Sequence, residues 1–148
     1  MTVLQPQAGP IPVPVPTVTS QPYWEGCARG ELLFQRCGGC HAAVHTPAMI
    51  CGRCWSRELT WERSKGTGAV YSWTAVWRPP TLAFTVPYAP VIVDVDEGWQ
   101  MLSCLIGCEL DDIRVGMRVE VEFHMGDNGV SFPYFRPLRS EAAAPADG

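Results

Sequence analysis

The segment Cys37-Gly38-Gly39-Cys40, followed ten residues later by Cys51-Gly52-Arg53-Cys54, decides the fold of this chain. In each pair the two intervening residues let both thiolates of a tight turn reach one ion, and four thiolates satisfy tetrahedral zinc at about 2.3 Å per bond. The glycines between the cysteines permit backbone turns that bring amides close to the sulfurs. The spacing therefore predicts a zinc ribbon with Cys37, Cys40, Cys51 and Cys54 as its ligands.

A site with four cysteine ligands is closed, because it leaves no position for the water molecule that a catalytic zinc would activate. The predicted zinc is therefore structural. The same thiolates could hold iron, as in rubredoxin, or act as a redox dithiol. Iron is disfavoured because nothing else in the chain indicates one-electron chemistry. His41 and His45 could each replace a cysteine ligand; with four cysteines present, we expect both to be surface-loop histidines.

The ribbon is predicted over residues 31–65, where short strands at 32–36 and 59–61 flank the cysteine pairs. A unit of this length buries too little apolar surface to be stable alone, since domains below about 40 residues usually need a metal, disulfides or a partner. Zinc is expected to supply that stability.

Two segments precede the ribbon. Residues 1–19 contain five prolines, a composition typical of extended chain that builds no core, so we expect this tail to be disordered or to lie on a partner. Residues 20–30 predict a short helix, with Ser20 as its N-cap and Gly30 as the left-handed residue after its end.

After residue 66 the pattern changes to the period of two that is typical of half-buried strands. Val91, Val93 and Val95 illustrate it, and strands are also predicted at 69–77, 101–106, 119–124 and 130–135. A single helical turn fits between the third and fourth strands. The chain is therefore predicted to be mainly β, with a five-stranded OB-type barrel over residues 66–138; a small open sandwich also satisfies the pattern. The tail 139–148 is expected to be disordered.

No catalytic residues are predicted. Cys27, Cys104 and Cys108 lie outside the ribbon, and a nucleophilic cysteine needs a base or positive surroundings, whereas acidic residues closely follow the last two. We expect all three to be buried structural thiols. Asp94 and Asp96 share a strand face and are interpreted as solvated carboxylates near a turn.

The charge distribution disfavours nucleic acid as a partner. Residues 20–65 carry a balance of +2, which a zinc ion with four thiolates cancels, and the rest of the 148-residue chain carries −6. A phosphate backbone needs several Lys or Arg contacts, so Trp73 and Trp77 are interpreted as core or protein-interface residues rather than base-stacking ones. Without a long apolar segment or a signal peptide, we expect a cytoplasmic protein with no membrane association.

The residues together resemble one known family. The matching pieces are Tyr23-Trp24-Glu25, residues 30–40 with the first cysteine pair, Pro47, the second pair, Trp61 and residues 66–74. Residues 107–108, 114–119 and 132–137 are also similar. They resemble the acyl-CoA-associated zinc-ribbon/OB-fold family known as domain of unknown function 35, and the resemblance covers about residues 22–138.

This resemblance implies a helical segment, a rubredoxin-like ribbon and a C-terminal OB barrel. It also implies an accessory subunit, non-catalytic by itself, that docks on a thiolase-like enzyme in a hetero-oligomer for acyl transfer, condensation or retro-aldol cleavage, with acyl-CoA at the shared interface. The family positions that carry over are the four cysteines. A stand-alone acyl-CoA-binding module or hydrolase is the alternative, and a single-stranded nucleic-acid-binding protein is the third.

Overall fold

The computed structural model describes residues 2–139, within which one helix, a 3-10 turn and eight strands form two adjoining units. In chain order the elements are α1 (Gln21–Ala28), β1 (Leu33–Cys37), β2 (Ala43–Val44), β3 (Leu59–Arg63), β4 (Thr67–Trp73), β5 (Ala89–Val95), β6 (Trp99–Leu105), the 3-10 turn (Leu110–Asp112), β7 (Arg118–Met125) and β8 (Ser131–Pro137). The mainly β architecture predicted from the sequence is confirmed.

The ribbon is a three-stranded antiparallel sheet in the order β2-β1-β3. Its central strand β1 pairs with β3 from Leu33 opposite Arg63 to Cys37 opposite Leu59. Cys37, the first of the four candidate ligands, therefore lies at the end of the central strand. Each cysteine pair forms a turn, after which the chain returns to the sheet.

Strands β4 to β8 close into a barrel in the order β4-β5-β6-β8-β7. Closure depends on β4 pairing with β7, and on a parallel contact between Leu105 of β6 and Phe135 of β8. The inward face of β5 consists of Val91, Val93 and Val95, all buried, as the alternating pattern predicts. A closed sheet of five strands is the OB-type barrel, and it excludes the open sandwich.

The two units share one hydrophobic core. Leu32 and Phe34 of the ribbon and Tyr23 and Cys27 of the helix are buried in the same cluster as the barrel valines. The Phe34 ring stacks on Trp99 of β6 with 5.6 Å between ring centroids. The ribbon is therefore held on the barrel by apolar packing, and not only by the linker at residues 64–66.

The N-terminal tail differs from the disordered segment that we expected. Leu4 is 2% exposed, its amide donates to the carbonyl of Cys108 at 2.8 Å, and the amide of Gly107 donates to the Leu4 carbonyl at 2.9 Å. Its backbone thus pairs with the barrel like a short edge strand, and burial of one leucine anchors it. The predicted disordered tail 139–148 lies, from residue 140, outside the described residues.

The helix spans Gln21–Ala28 within the predicted segment 20–30, and Ser20 is its N-cap residue. Gly30 has φ of 76°, the left-handed conformation expected after the last turn. Ser20 makes no side-chain cap. Its hydroxyl instead accepts a hydrogen bond from the Thr17 amide at 2.9 Å, because the preceding turn folds back on it. Among the described residues, no helix has the length and apolar character needed to cross a membrane.

Candidate metal centre

The four cysteines of the two pairs converge at the tip of the ribbon. Their Sγ atoms all lie within 4.8 Å of one another, with 3.4 Å between Cys37 and Cys54 and 3.7 Å between Cys40 and Cys51. Four sulfurs at about 2.3 Å from a tetrahedral zinc would be separated by about 3.8 Å. The donor set and its spacing therefore fit one zinc ion, although the same four thiolates also suit iron.

The two cysteine pairs have the same local structure. The amide of Gly39 donates to the Cys37 sulfur at 3.3 Å, and the amide of Arg53 donates to the Cys51 sulfur at 3.4 Å. One residue past each pair, the amides of His41 and Trp55 donate to the carbonyls of Cys37 and Cys51, both at 2.9 Å. Each pair is therefore a knuckle that directs backbone N–H groups at its first sulfur.

These amide donors make the first cysteine of each knuckle more acidic. Hydrogen bonding by the amides of Cys40 and Gly39 lowers the pKa of the Cys37 thiol to about 6. The amides of Cys54 and Arg53 likewise lower the pKa of Cys51. Because a thiolate is the form that ligates a metal, the backbone favours the ligating state.

The glycines in the knuckles do not take the left-handed conformation. None of Gly38, Gly39 and Gly52 has a positive φ; the left-handed residues are His41, with φ of 63°, and Trp55, with φ of 65°. A Cβ on Gly39 would lie 3.1 Å from Cβ of Ser56 and 3.3 Å from the Cys54 sulfur. Gly39 therefore provides space beside the sulfurs, while two non-glycine residues take the strained conformation.

His45 is not the surface-loop histidine that we expected. Its ring packs 4.6 Å from Trp99 and 5.8 Å from Tyr23, centroid to centroid, and it is outside the cysteine cluster. Desolvation by this packing lowers the pKa of His45 to about 4.

His41 is exposed, as predicted. His124, for which the sequence offers no partner, pairs with Glu122 at 2.8 Å.

The partial burial of His45 predicts acid destabilisation. Above its unfolded pKa of about 6.5 the imidazole is neutral in both states, and between about 6.5 and 4 only the unfolded chain takes up the proton. Folding stability should therefore fall as the pH drops through that window, by up to about 2 kcal/mol at pH of about 5. Urea unfolding at neutral and mildly acidic pH measures this loss.

The matched variants for this prediction are His45→Phe and His41→Gln. His45→Phe keeps an aromatic ring against Trp99 but cannot titrate, so its pH dependence should be shallower than that of the parent protein. His41→Gln should retain the parental dependence, because His41 is exposed. Equal slopes for His45→Phe and the parent would show that His45 does not titrate in this way.

The other three cysteines lie outside the cluster, and burial rather than acidic neighbours is the main cause of their raised pKa values. Cys27 and Cys108 are buried and Cys104 is half-buried. Burial raises the pKa of Cys27 and of Cys104 to about 11, and burial followed by the charge of Asp112 raises that of Cys108. Among the described residues, these thiols have no geometry that would activate them as nucleophiles.

Asp94 and Asp96 do not form an acid–base pair. Asp94 accepts a hydrogen bond from Gln100 at 2.7 Å, and Asp96 forms a bidentate pair with Arg118 at 2.8 and 2.7 Å. Hydrogen bonds from Arg118 and Thr67 lower the pKa of Asp96 to about 2. Asp96 therefore remains ionised and ties the start of β4 to β7.

Fold and site together define a zinc-ribbon/OB-barrel protein, and the comparisons with known proteins identify the family. Residues 24–60 match the rubredoxin-like zinc ribbon domain of ChsH2, and residues 61–124 match the C-terminal OB-fold domain of ChsH2. A DUF35 domain-containing scaffold protein of Methanocaldococcus jannaschii is 30% identical over 118 residues, which cover 74% of this chain and 83% of that protein. The chain belongs to this ChsH2-type DUF35 family.

A solved structure described as an Ltp2–ChsH2(DUF35) aldolase contains a chain with the same fold. It superposes with a TM-score of 0.78 at 31% identity, covering 84% of this chain and 98% of that one. A probable enoyl-CoA hydratase alpha subunit of Thermomonospora curvata is 33% identical over 115 residues. That match covers 78% of this chain but only 36% of the hydratase subunit, so this chain corresponds to about a third of that relative.

Proposed function

We propose that this chain is an accessory subunit that docks on a thiolase-like enzyme acting on acyl-CoA and orders its active site. The observation that carries the proposal is the structural likeness to the DUF35 chain of the Ltp2–ChsH2 aldolase, which extends over 98% of that chain. The enzyme in that complex is named an aldolase, which favours carbon–carbon bond cleavage or formation by the partner.

The four cysteines are proposed to hold a structural zinc ion. Cys37, Cys40, Cys51 and Cys54 would occupy every position of a tetrahedral ion, so that the metal stabilises the ribbon and has no place for substrate. The match to a zinc ribbon domain supports zinc over iron. In this arrangement the catalytic groups come from the partner.

The exposed apolar residues of the ribbon support a protein partner. Met49, Ile50 and Trp55 flank or follow the second cysteine pair, and Trp55 is 81% exposed. Trp77 and Leu82, in the connection between β4 and β5, are also exposed. Large apolar side chains left in solvent around a rigid metal-held tip are typical of an interaction surface. We propose the ribbon tip as the docking surface and define it by Met49, Ile50 and Trp55.

Co-purification tests the proposed function. The tagged full chain would be expressed with an untagged thiolase-like protein encoded near it, and the eluate examined by light scattering coupled to size exclusion. A stable hetero-oligomer with acyl transfer or retro-aldol activity that neither protein has alone is the expected result. A monomeric chain that shows acyltransferase activity by itself would contradict the proposal.

A further inference from the structure

An apolar cavity of about 520 Å³ lies where the helix, the ribbon and the barrel meet. Its volume is in the range of about 300–1,000 Å³ that is usual for small-molecule sites. Six aromatic side chains from three parts of the chain line it: Tyr23, Trp24, Phe84, Tyr88, Phe132 and Tyr134. The cavity is separate from the four-cysteine cluster.

The polar groups in the lining are few, and several are already paired. The Tyr134 hydroxyl accepts a hydrogen bond from the Gln7 amide at 3.1 Å, and the Ser103 hydroxyl donates to the Pro133 carbonyl at 2.8 Å. His45, the one titratable nitrogen base in the lining, is kept neutral near pH 7 by desolvation, which lowers its pKa to about 4. No Lys, Arg, Asp or Glu lines the cavity among the described residues.

This lining selects the class of ligand. A carboxylate or phosphate placed against this lining would lose part of its hydration without gaining a cation, which is unfavourable. A hydrocarbon chain or ring would instead release water from aromatic surfaces at no polar cost. The charged end of any ligand must therefore remain outside the cavity.

The N-terminal segment forms one wall of the cavity. The Gln7 side chain pairs with the backbone of Thr85 in both directions, accepting from its amide at 2.8 Å and donating to its carbonyl at 3.1 Å. Ile11 also contributes to the lining. The tail is thus fastened to the loop between β4 and β5, and together they cover a site that the helix and barrel alone would leave open.

We propose that this cavity binds the uncharged hydrocarbon part of an acyl thioester, with the thioester and its charged carrier outside. The choice of an acyl group rests on the proposed function, since the partner enzyme would act on acyl-CoA. The cavity would give the accessory subunit a direct part in substrate selection by acyl size, in addition to docking.

The test uses the purified full chain and unreactive probes, S-alkyl N-acetylcysteamine thioethers with alkyl chains of two, six and ten carbons. Calorimetry should give an affinity that rises by about three- to fourfold for each added methylene, because each buried CH₂ contributes about 0.8 kcal/mol. Affinity that does not change with chain length would overturn the proposal.

Cys104 reports occupancy directly, because its half-buried thiol lines the cavity. Alkylation by iodoacetamide at mildly alkaline pH, located by mass spectrometry, should be slowed at least tenfold by the ten-carbon probe and unchanged by the two-carbon probe. Unprotected Cys104 in the presence of saturating ten-carbon probe would place the ligand elsewhere and contradict the proposal.

A cavity-filling variant and a matched control complete the test. Cys104→Phe should abolish binding of the ten-carbon probe, whereas Leu82→Ser, which changes a fully exposed residue outside the cavity, should leave it unchanged. If Cys104→Phe does not fold, the chain-length series on the parent protein decides. The outcome is independent of co-purification: a complex without probe binding refutes the cavity proposal, and probe binding without a complex refutes only the accessory-subunit role.

Discussion

Replacing Cys51 with alanine is expected to abolish metal binding and to unfold residues 31–65. Structural zinc in small ribbons is worth roughly 10–16 kcal/mol at pH 7, which is as large as the whole stability of a typical domain, about 5–15 kcal/mol. Three remaining thiolates would leave an incomplete site on a unit that cannot support itself by burial. Elemental analysis should fall from one zinc per chain to near zero, and circular dichroism should lose the ribbon contribution.

The matched control is Cys104→Ala, which removes a thiol outside the cluster. This variant should keep one zinc per chain and lose only modest stability, because it leaves all four sulfurs of the ribbon in place. The assignment of the four ligands would be wrong if Cys51→Ala retained both its metal and its folded ribbon. Iron rather than zinc in the purified parent protein would correct the metal while preserving the ligand set.

Replacing Trp55 with glycine is expected to weaken partner binding by about 30-fold or more, since buried interface tryptophans commonly contribute at least 2 kcal/mol. The same change should not destabilise the free chain. Trp55 has φ of 65° and an 81% exposed side chain, so glycine relieves a left-handed strain of about 1–2 kcal/mol and removes few internal contacts. Partner affinity and thermal unfolding of the same variant therefore move in opposite directions.

His41→Gly provides the internal control, because His41 has the equivalent position in the first knuckle and the same left-handed backbone. It should gain similar stability without loss of affinity, since Met49, Ile50 and Trp55 of the proposed docking surface lie around the second knuckle. If both glycine variants bind the partner like the parent protein, the docking surface is not at the ribbon tip. Lower stability in Trp55→Gly would instead indicate that its ring packs within the chain.

Much of the fold follows from local sequence features. Cysteine spacing predicts the knuckles, and alternation at Val91, Val93 and Val95 predicts a barrel strand, because both depend on periodicity within a few residues. Trp55 is different: its strained backbone could not be predicted, since sequence rules assign positive φ to glycine. The structure instead places one glycine, Gly39, where a Cβ would crowd the Cys54 sulfur.

The features that the sequence did not predict depend on long-range contacts. Leu4 is one of several apolar residues in a proline-rich segment, and only its pairing with residues 107–108 shows that it belongs to the barrel. The partial burial of His45 requires Trp99, which lies 54 positions away in the chain. The cavity is assembled from six separate segments, so no local pattern signals its presence.

The stacking of Phe34 on Trp99 joins the ribbon to the barrel in one core. Unfolding of the ribbon would therefore also uncover apolar surface of the barrel. In a chain synthesised without metal the ribbon would be unfolded and Trp99 of the barrel would lose its cover. Proteases and chaperones act on such partly unfolded chains. Zinc supply would then regulate the abundance of the subunit, and through it the amount of active complex. In the proposed complex, partner turnover would become sensitive to zinc starvation, although the proposed four-cysteine site has no position for substrate.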